Sequence, residues 1–297
     1  MNGLNIFQRI YIALFKSEAK NKIFSKALSK VKQPNLFPAT GDNAVHFRHS
    51  GLIGDIIYSI PAMKVLAGGR DIYLHLLINQ KSLYKRRMKH YNQNKILTEK
   101  SVEWLSPLLL AQPAFKACDV YSDQRIDYDL DEFRRLPFDY NMGHICRWYF
   151  LAYGITADLT EPWLFVKPDT SFSDEIIVAR SFRYRAPGIS YDFLKTYPNL
   201  TFLGLEDEYA DLKKSIPHLK YHPVHDFLEF ARIVAGCRFF IGNQSFPYSI
   251  AEALKVNRAL EVCFECPNVI PEGKNGYDFC FQPQFEKIVQ QLNNLKK

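Results

Sequence analysis

The sequence predicts an α/β protein made of two doubly wound domains facing a cleft. Three observations carry this expectation. Apolar runs of strand length alternate with helical patterns along most of the 297 residues. The alternation stops at Lys167-Pro-Asp-Thr-Ser-Phe-Ser173, a polar stretch without apolar periodicity that contains Pro168, and then restarts. A chain of this length suits one large domain or two of about 100–200 residues each. The organisation expected is a segment over residues 1–40, one α/β domain over 41–167 and a second over 174–297. Parallel strands joined by helices imply a doubly wound sheet in each half.

The first element is a candidate helix. Over residues 4–32, Ile6, Ile10, Leu14, Ile23, Phe24 and Leu28 recur at helical spacing among Lys20, Lys22, Lys26, Lys30 and Lys32. This basic amphipathic segment suits either a membrane surface or a helix packed on the protein body. Pro34, Pro38 and Gly41 then break the helical pattern. Ala44–His49 reads as a buried strand, Ser50–Asp55 as a glycine-bearing turn, and Ile56–Leu66 as a helix closed by Gly68 and Gly69. Ile72–Ile78 is the next strand, completing one βαβ unit of a parallel sheet. A basic stretch with Lys81, Lys85, Arg86, Arg87 and Lys89 comes next, and further candidates continue to about residue 166, among them the helix Met142–Tyr153. In the second half the strands are Glu175–Ala179, Leu200–Gly204, Tyr221–Val224, Arg238–Ile241 and Ala259–Phe264. The helices are Tyr191–Thr196, Glu206–Ser215, Phe227–Ala235, Pro247–Lys255 and Phe285–Leu295.

Composition narrows the function classes. No apolar run approaches the roughly 18 residues of a membrane span, and no secretory leader pattern opens the chain. The six cysteines are scattered, and Cys263 and Cys266 form a lone CxxC without a second pair or flanking histidine, which favours free thiols in a cytoplasmic setting over a zinc site. The eight histidines do not cluster with carboxylates, so no metal is expected. The net charge of +7 lies in the first half: to residue 168 there are 23 Lys+Arg against 15 Asp+Glu, and beyond it 15 against 16. Such a half suits an anionic partner (phospholipid, a phosphorylated glycan or nucleic acid) or serves solubility alone.

One stretch is most informative for function. Phe239–Ile241 ends at Gly242, the polar turn Asn243-Gln244-Ser245 comes next, and a helical pattern begins. Strand, tight turn and helix N-terminus present free N–H groups and a positive dipole end to an anion, commonly a phosphate or diphosphate. Arg180-Ser-Phe-Arg-Tyr-Arg185 directly follows a strand, where parallel sheets bind ligands, and the arginine fork bonds diphosphate oxygens in pairs. A solvated basic loop is the alternative.

Gly54-Asp-Ile-Ile-Tyr-Ser-Ile-Pro-Ala-Met63 resembles the Gly-Asp-(apolar)-(apolar)-x-x-x-Pro-Ala motif that opens heptosyltransferases of the ADP-heptose:lipopolysaccharide type. Asp226–Lys255 is similar to that family's C-terminal stretch, where an acidic-led helix precedes an Ile-Gly-Asn turn and an Ala-x-Ala helix. The two motifs lie about 190 residues apart in the family's order, and the resemblance covers residues 44–270. Two departures stand out: Phe246 replaces a glycine of the turn, and Ser249 stands where a histidine often does.

The resemblance implies a GT-B fold of two Rossmann-like domains, an acceptor domain followed by a donor domain. It implies transfer of a sugar from a nucleotide diphosphate sugar, as co-substrate, to a hydroxyl of a bacterial surface glycan or lipid-linked acceptor. Inversion at the anomeric carbon and no metal or other cofactor are expected with it. Asp55 is then the general base, although an Asp here also suits a helix cap. Gly54 and His49 fall on the acceptor side. Arg180, Arg183, Arg185, Gly242, Asn243, Gln244 and Ser245 fall on the donor diphosphate, and Glu252 on the ribose. Glu206 and Glu208 form an acidic turn near the nucleoside or simply start a helix. A cytoplasmic protein peripheral to the inner face of the membrane through residues 1–32 is expected. Two further readings stay open: a nucleic-acid acceptor met by Lys81–Lys100, and a non-catalytic nucleotide-sugar binding protein of the same fold.

Overall fold

The computed structural model of the protein describes residues 6–7, 9–10, 18–29, 43–81 and 95–295. Much of the basic amphipathic segment, and residues 82–94 of the basic stretch, lie outside the described residues. Within the segment, Glu18–Leu28 forms helix α1, and Ile6, Phe7, Ile10 and Leu28 are exposed.

The first sheet is built from β1 (Ala44–His49), β2 (Asp71–Leu76), β3 (Phe115–Val120) and β4 (Tyr128–Asp129), with α2 (Ile53–Ala67), α3 (Glu99–Leu110) and α4 (Ile145–Tyr153) between or after them. Its order is β3-β2-β1-β4 and every pairing is parallel. Helix α2 is apolar nearly all round and ten of its residues are buried. A helix with no polar face is covered on several sides, here by the first sheet and the second domain. Gly68 ends it in the left-handed conformation, φ 58°.

The second sheet comprises β5 (Ile176–Ala179), β6 (Leu200–Phe202), β7 (Lys220–Tyr221), β8 (Phe239–Asn243), β9 (Arg258–Glu261) and β10 (Gly276–Phe279). Helices α5 (Glu206–Lys213), α6 (Phe227–Gly236), α7 (Phe246–Leu254) and α8 (Gln282–Asn294) accompany it. The order β10-β9-β8-β5-β6-β7, all parallel, is the dinucleotide-fold order. The order of strand addition reverses between β1 and β4 in one sheet and between β5 and β8 in the other. Ligands bind at the carboxyl ends of strands beside such reversals.

Several elements differ from the sequence reading. The strand expected over Tyr221–Val224 is the two-residue β7, because Pro223 cannot donate to a ladder. Tyr191–Thr196 is one 3₁₀ turn, Asp192–Thr196. Edge strand β10 was not expected: one face of it is solvated, which breaks the apolar run. Lys167–Ser173 is packed, not free. Asp169 N–H donates to Arg232 O at 2.9 Å, and a Cβ on Gly236 would fall 1.9 Å from Asp169 O.

One apolar core runs through both halves, joining Phe47 of β1 and Ile60 of α2 to Ile177 of β5, Phe240 of β8 and Ile250 of α7. A second core, with Val178, Phe202, Ile241 and Phe285, fills the far face of the second sheet.

Candidate functional site

A cleft of about 520 Å³ lies between the domains, at the carboxyl ends of β1, β5, β6 and β8. Asp55, in the first turn of α2, lines it. Its Oδ2 accepts from Arg134 Nη2 at 2.7 Å, and Arg134 Nε donates to Asp131 Oδ1 at 3.0 Å. Burial opposes the arginine's charge, but the carboxylates of Asp55 and Asp131 raise its pKa above the ordinary value. Arg134 follows β4 and Asp55 follows β1, so the pair spans the reversal of the first sheet.

The turn that carries Asp55 is held from beneath. His49 is fully buried and its Nδ1 accepts Gly51 N–H at 2.8 Å. That fixes the neutral Nε2–H tautomer, which donates to Tyr149 Oη at 2.8 Å; Tyr149 Oη donates to Asp55 O at 3.2 Å. Burial first of all lowers the His49 pKa, in keeping with a neutral ring. His49, expected on the acceptor side, supports the turn from the core and does not line the cleft.

The N-terminus of α7 lines the same cleft. A Cβ on Gly54 would meet Phe246 Cα at 3.6 Å, so the first turns of α2 and α7 pack directly against each other. Neither helix has a side-chain cap, and α5, which also opens on the cleft, has none either. Thr98, His144 and Asp226 cap α3, α4 and α6, while α8, which does not line the cleft, also lacks a side-chain cap. The first turn of α2 carries Asp55, and that of α5 carries Glu206, Asp207 and Glu208, with Asp207 Oδ1 accepting Glu208 N–H at 2.9 Å. Alone of the three, α7 has no acidic residue in its first turn, so its N–H donors and dipole charge suit an anion.

The residues expected on the donor divide. Arg180, Arg183, Gln244 and Ser245 line the cleft; Arg185, Gly242, Asn243 and Glu252 do not. Gln244 is braced: its Nε2 donates to Cys266 O and its Oε1 accepts Cys263 N–H, each at 2.6 Å. Arg180 is buried and spans Glu261 with two bonds of 2.7 Å, so its charge is matched within the protein. Arg183 stacks its guanidinium 5.4 Å from the Tyr184 ring. Arg185 binds Asp211 at 2.9 Å on the outer side of the loop. Gly242 is a packing glycine, since a Cβ there would lie 2.8 Å from Ala179 O. Asn243 is fully buried and clamps the Ser181–Arg183 loop through three hydrogen bonds. Glu252 is the largest correction. Its carboxylate is completely buried, accepts from Arg258 Nε at 2.5 Å, from Lys255 and from Glu272 N–H at 3.1 Å, and has no face for a ribose.

Other residues emerge. Arg134 was missed because a two-residue strand gives no readable signal ahead of it. Lys100, Trp104 and Tyr184 also line the cleft, and Phe227 bridges Trp104 to Phe246 with ring centroids 5.5 and 4.2 Å apart. Glu206 and Glu208, read as an acidic turn, both reach the cleft. Burial pushes the Glu208 carboxyl up to about 7, although it accepts Phe182 N–H at 3.3 Å. Among the described residues no group of three His, Cys, Asp or Glu could hold a metal ion.

No protein-family profile matches the chain, and no curated protein does. Solved structures do. The E. coli heptosyltransferase WaaC with ADP-2-deoxy-2-fluoro heptose superposes with a TM-score of 0.54 at 10% identity, covering 84% of this chain and 99% of that one. The same enzyme with ADP gives 0.56, also at 10% identity with 84% and 99% coverage. A glycosyl transferase family 9 protein from Veillonella parvula gives 0.52 at 11% identity, covering 88% and 96%. At these identities what is shared is the fold: the chain has the GT-B arrangement of heptosyltransferase-like glycosyltransferases.

Proposed function

We propose that the chain transfers a sugar from a nucleotide diphosphate sugar to a hydroxyl of a bacterial surface glycan or lipid-linked acceptor, with inversion and Asp55 as general base. The observation that carries this reading is the abutment of two unlike first turns. Asp55, with one oxygen committed to Arg134, lines the same cleft as the uncapped N-terminus of α7, which packs against Gly54 beside it. The fold supports it, and WaaC was solved with ADP and with an ADP-heptose analogue.

In this mechanism Asp55 Oδ1 takes the proton of the acceptor hydroxyl. The acceptor oxygen forms its bond to the anomeric carbon on the face opposite the diphosphate, whose C–O bond breaks with both electrons. The departing diphosphate is met by the α7 N-terminus and Arg183, which stabilise charge where it develops. Arg134 orients the base and offsets its charge without taking the proton. The site works without a metal, and the basic first half holds the protein to an anionic inner membrane surface. No helix among the described residues is long and apolar enough to cross a membrane.

The test is turnover and binding with ADP-, GDP-, UDP-, dTDP- and CMP-sugars in the presence of a metal chelator. One donor class raises the melting temperature of wild type and is hydrolysed slowly without acceptor. Asp55→Asn keeps that shift while losing turnover by roughly 100-fold or more. A variant that retains most of its turnover removes Asp55 as base, and silence with every donor removes the transferase reading.

A further inference from the structure

Six non-glycine residues among those described have positive φ. Asn79, Asp123, Asn199 and Asn275 belong to the residue types that tolerate it. Lys255 ends α7, and its ammonium is buried against Glu252. The sixth is Tyr184, φ 59°, and it alone of the six lines the cleft. A bulky residue in this region is a genuine outlier, and such strain gathers at ligand clamps.

The strain is imposed by the fold. From the end of β8, the buried Asn243 side chain accepts Ser181 N–H at 3.0 Å and donates to Ser181 O at 2.9 Å and Arg183 O at 2.6 Å. Ser181 Oγ adds a bond to Arg183 O at 2.9 Å. The backbone before Tyr184 is thus fixed at the reversal between β5 and β8. Glycine would take the same path unstrained. The half-buried Tyr184 ring belongs to neither apolar core and carries the Arg183 guanidinium 5.4 Å from its centroid. In the second domain its loop lies between the α7 N-terminus on one side and the cleft wall of Leu205, Tyr221 and Val224 on the other.

We infer that Tyr184 is a nucleotide-binding residue of the donor site, a fixed platform on which the nucleobase of the nucleotide stacks while Arg183 beside it meets phosphate. The inference rests on the donor reading above. A flat ring recognises the face of a base, and such stacking adds to affinity without adding charge.

Calorimetric titration of ADP, GDP, UDP and inorganic pyrophosphate into wild type, Tyr184→Gly and Tyr184→Phe tests it, alongside the melting temperature of each. Tyr184→Gly is expected to melt at or above wild type and to bind the preferred nucleotide about 10-fold or more weaker, with pyrophosphate binding changed less than about two-fold. Tyr184→Phe should bind nucleotide as wild type does. If Tyr184→Gly binds nucleotide normally, or wild type binds nucleotide no better than pyrophosphate, the platform is wrong while the donor site stands. A glycine variant that melts well below wild type, or fails to fold, makes the ring structural and also overturns the inference. If wild type binds neither nucleotide nor pyrophosphate, the donor reading itself falls, and Tyr184 with it.

Discussion

Asp55 and Glu208 show how differently a carboxylate is used in one cleft. Asp55 is tied to a cation through one oxygen; Glu208 accepts from backbone N–H, yet burial holds its proton up to about 7. The folded protein therefore keeps a proton on Glu208 that the unfolded chain releases near 4.5. The native state binds more protons between these values, so this group's contribution to stability falls as pH rises from about 4.5 to 7 and is level above. Glu208→Gln should match wild type at pH 4 and exceed it above pH 7 by about 2–3 kcal/mol, read from urea unfolding across pH. A constant difference at all pH would show that the carboxyl titrates normally. At this scale the sequence was partly legible. Asp55 announced itself through Gly-Asp at a strand-to-helix turn. Glu252 misled, because a helical position does not disclose that Arg258 and Lys255 enclose its carboxylate.

Elements explain why the site forms where it does. Each half reverses its order of strand addition once, and the two reversals face one another with β1 and β4 on one side and β5 and β8 on the other. The strand ends must lie close together there, which Gly242 permits: a methyl at that position would meet both Ala179 O and the Phe240 ring. Gly242→Ala should destabilise the protein by about 1–3 kcal/mol and weaken donor binding by spreading β5 from β8, although residue 242 does not touch the cleft. Denaturant unfolding and titration measure the two effects, and a variant with wild-type values in both would mean that the sheet yields elsewhere. The reversal was readable from the alternation of strands and helices. The capping state was not: Ser245 is a favoured cap type, yet its Oγ bonds Asn243 O at 3.3 Å and leaves the helix end open.

For the whole molecule, the shared core matters more than the two-sheet plan. Because α2 and α7 bury their apolar faces against each other in one continuous cluster, neither half retains a complete interior alone. Scanning calorimetry should show a single transition for the full chain, and cleavage within residues 167–173 should be slow while it is folded. Two resolved transitions would contradict a common core. The pause at Lys167–Ser173 was visible in the sequence, but its docking on α6 was not, since polar residues bond backbone as readily as water. The open N-terminus of α7 has a kinetic consequence for the proposed transfer. Such a transfer leaves the diphosphate with one more negative charge than it had in the donor, so the helix end that would ease its departure from the sugar would also retain it most strongly afterwards. For the proposed transfer, release of the spent nucleotide is the expected slow step, and added salt should quicken turnover at saturating substrate even as it weakens donor capture.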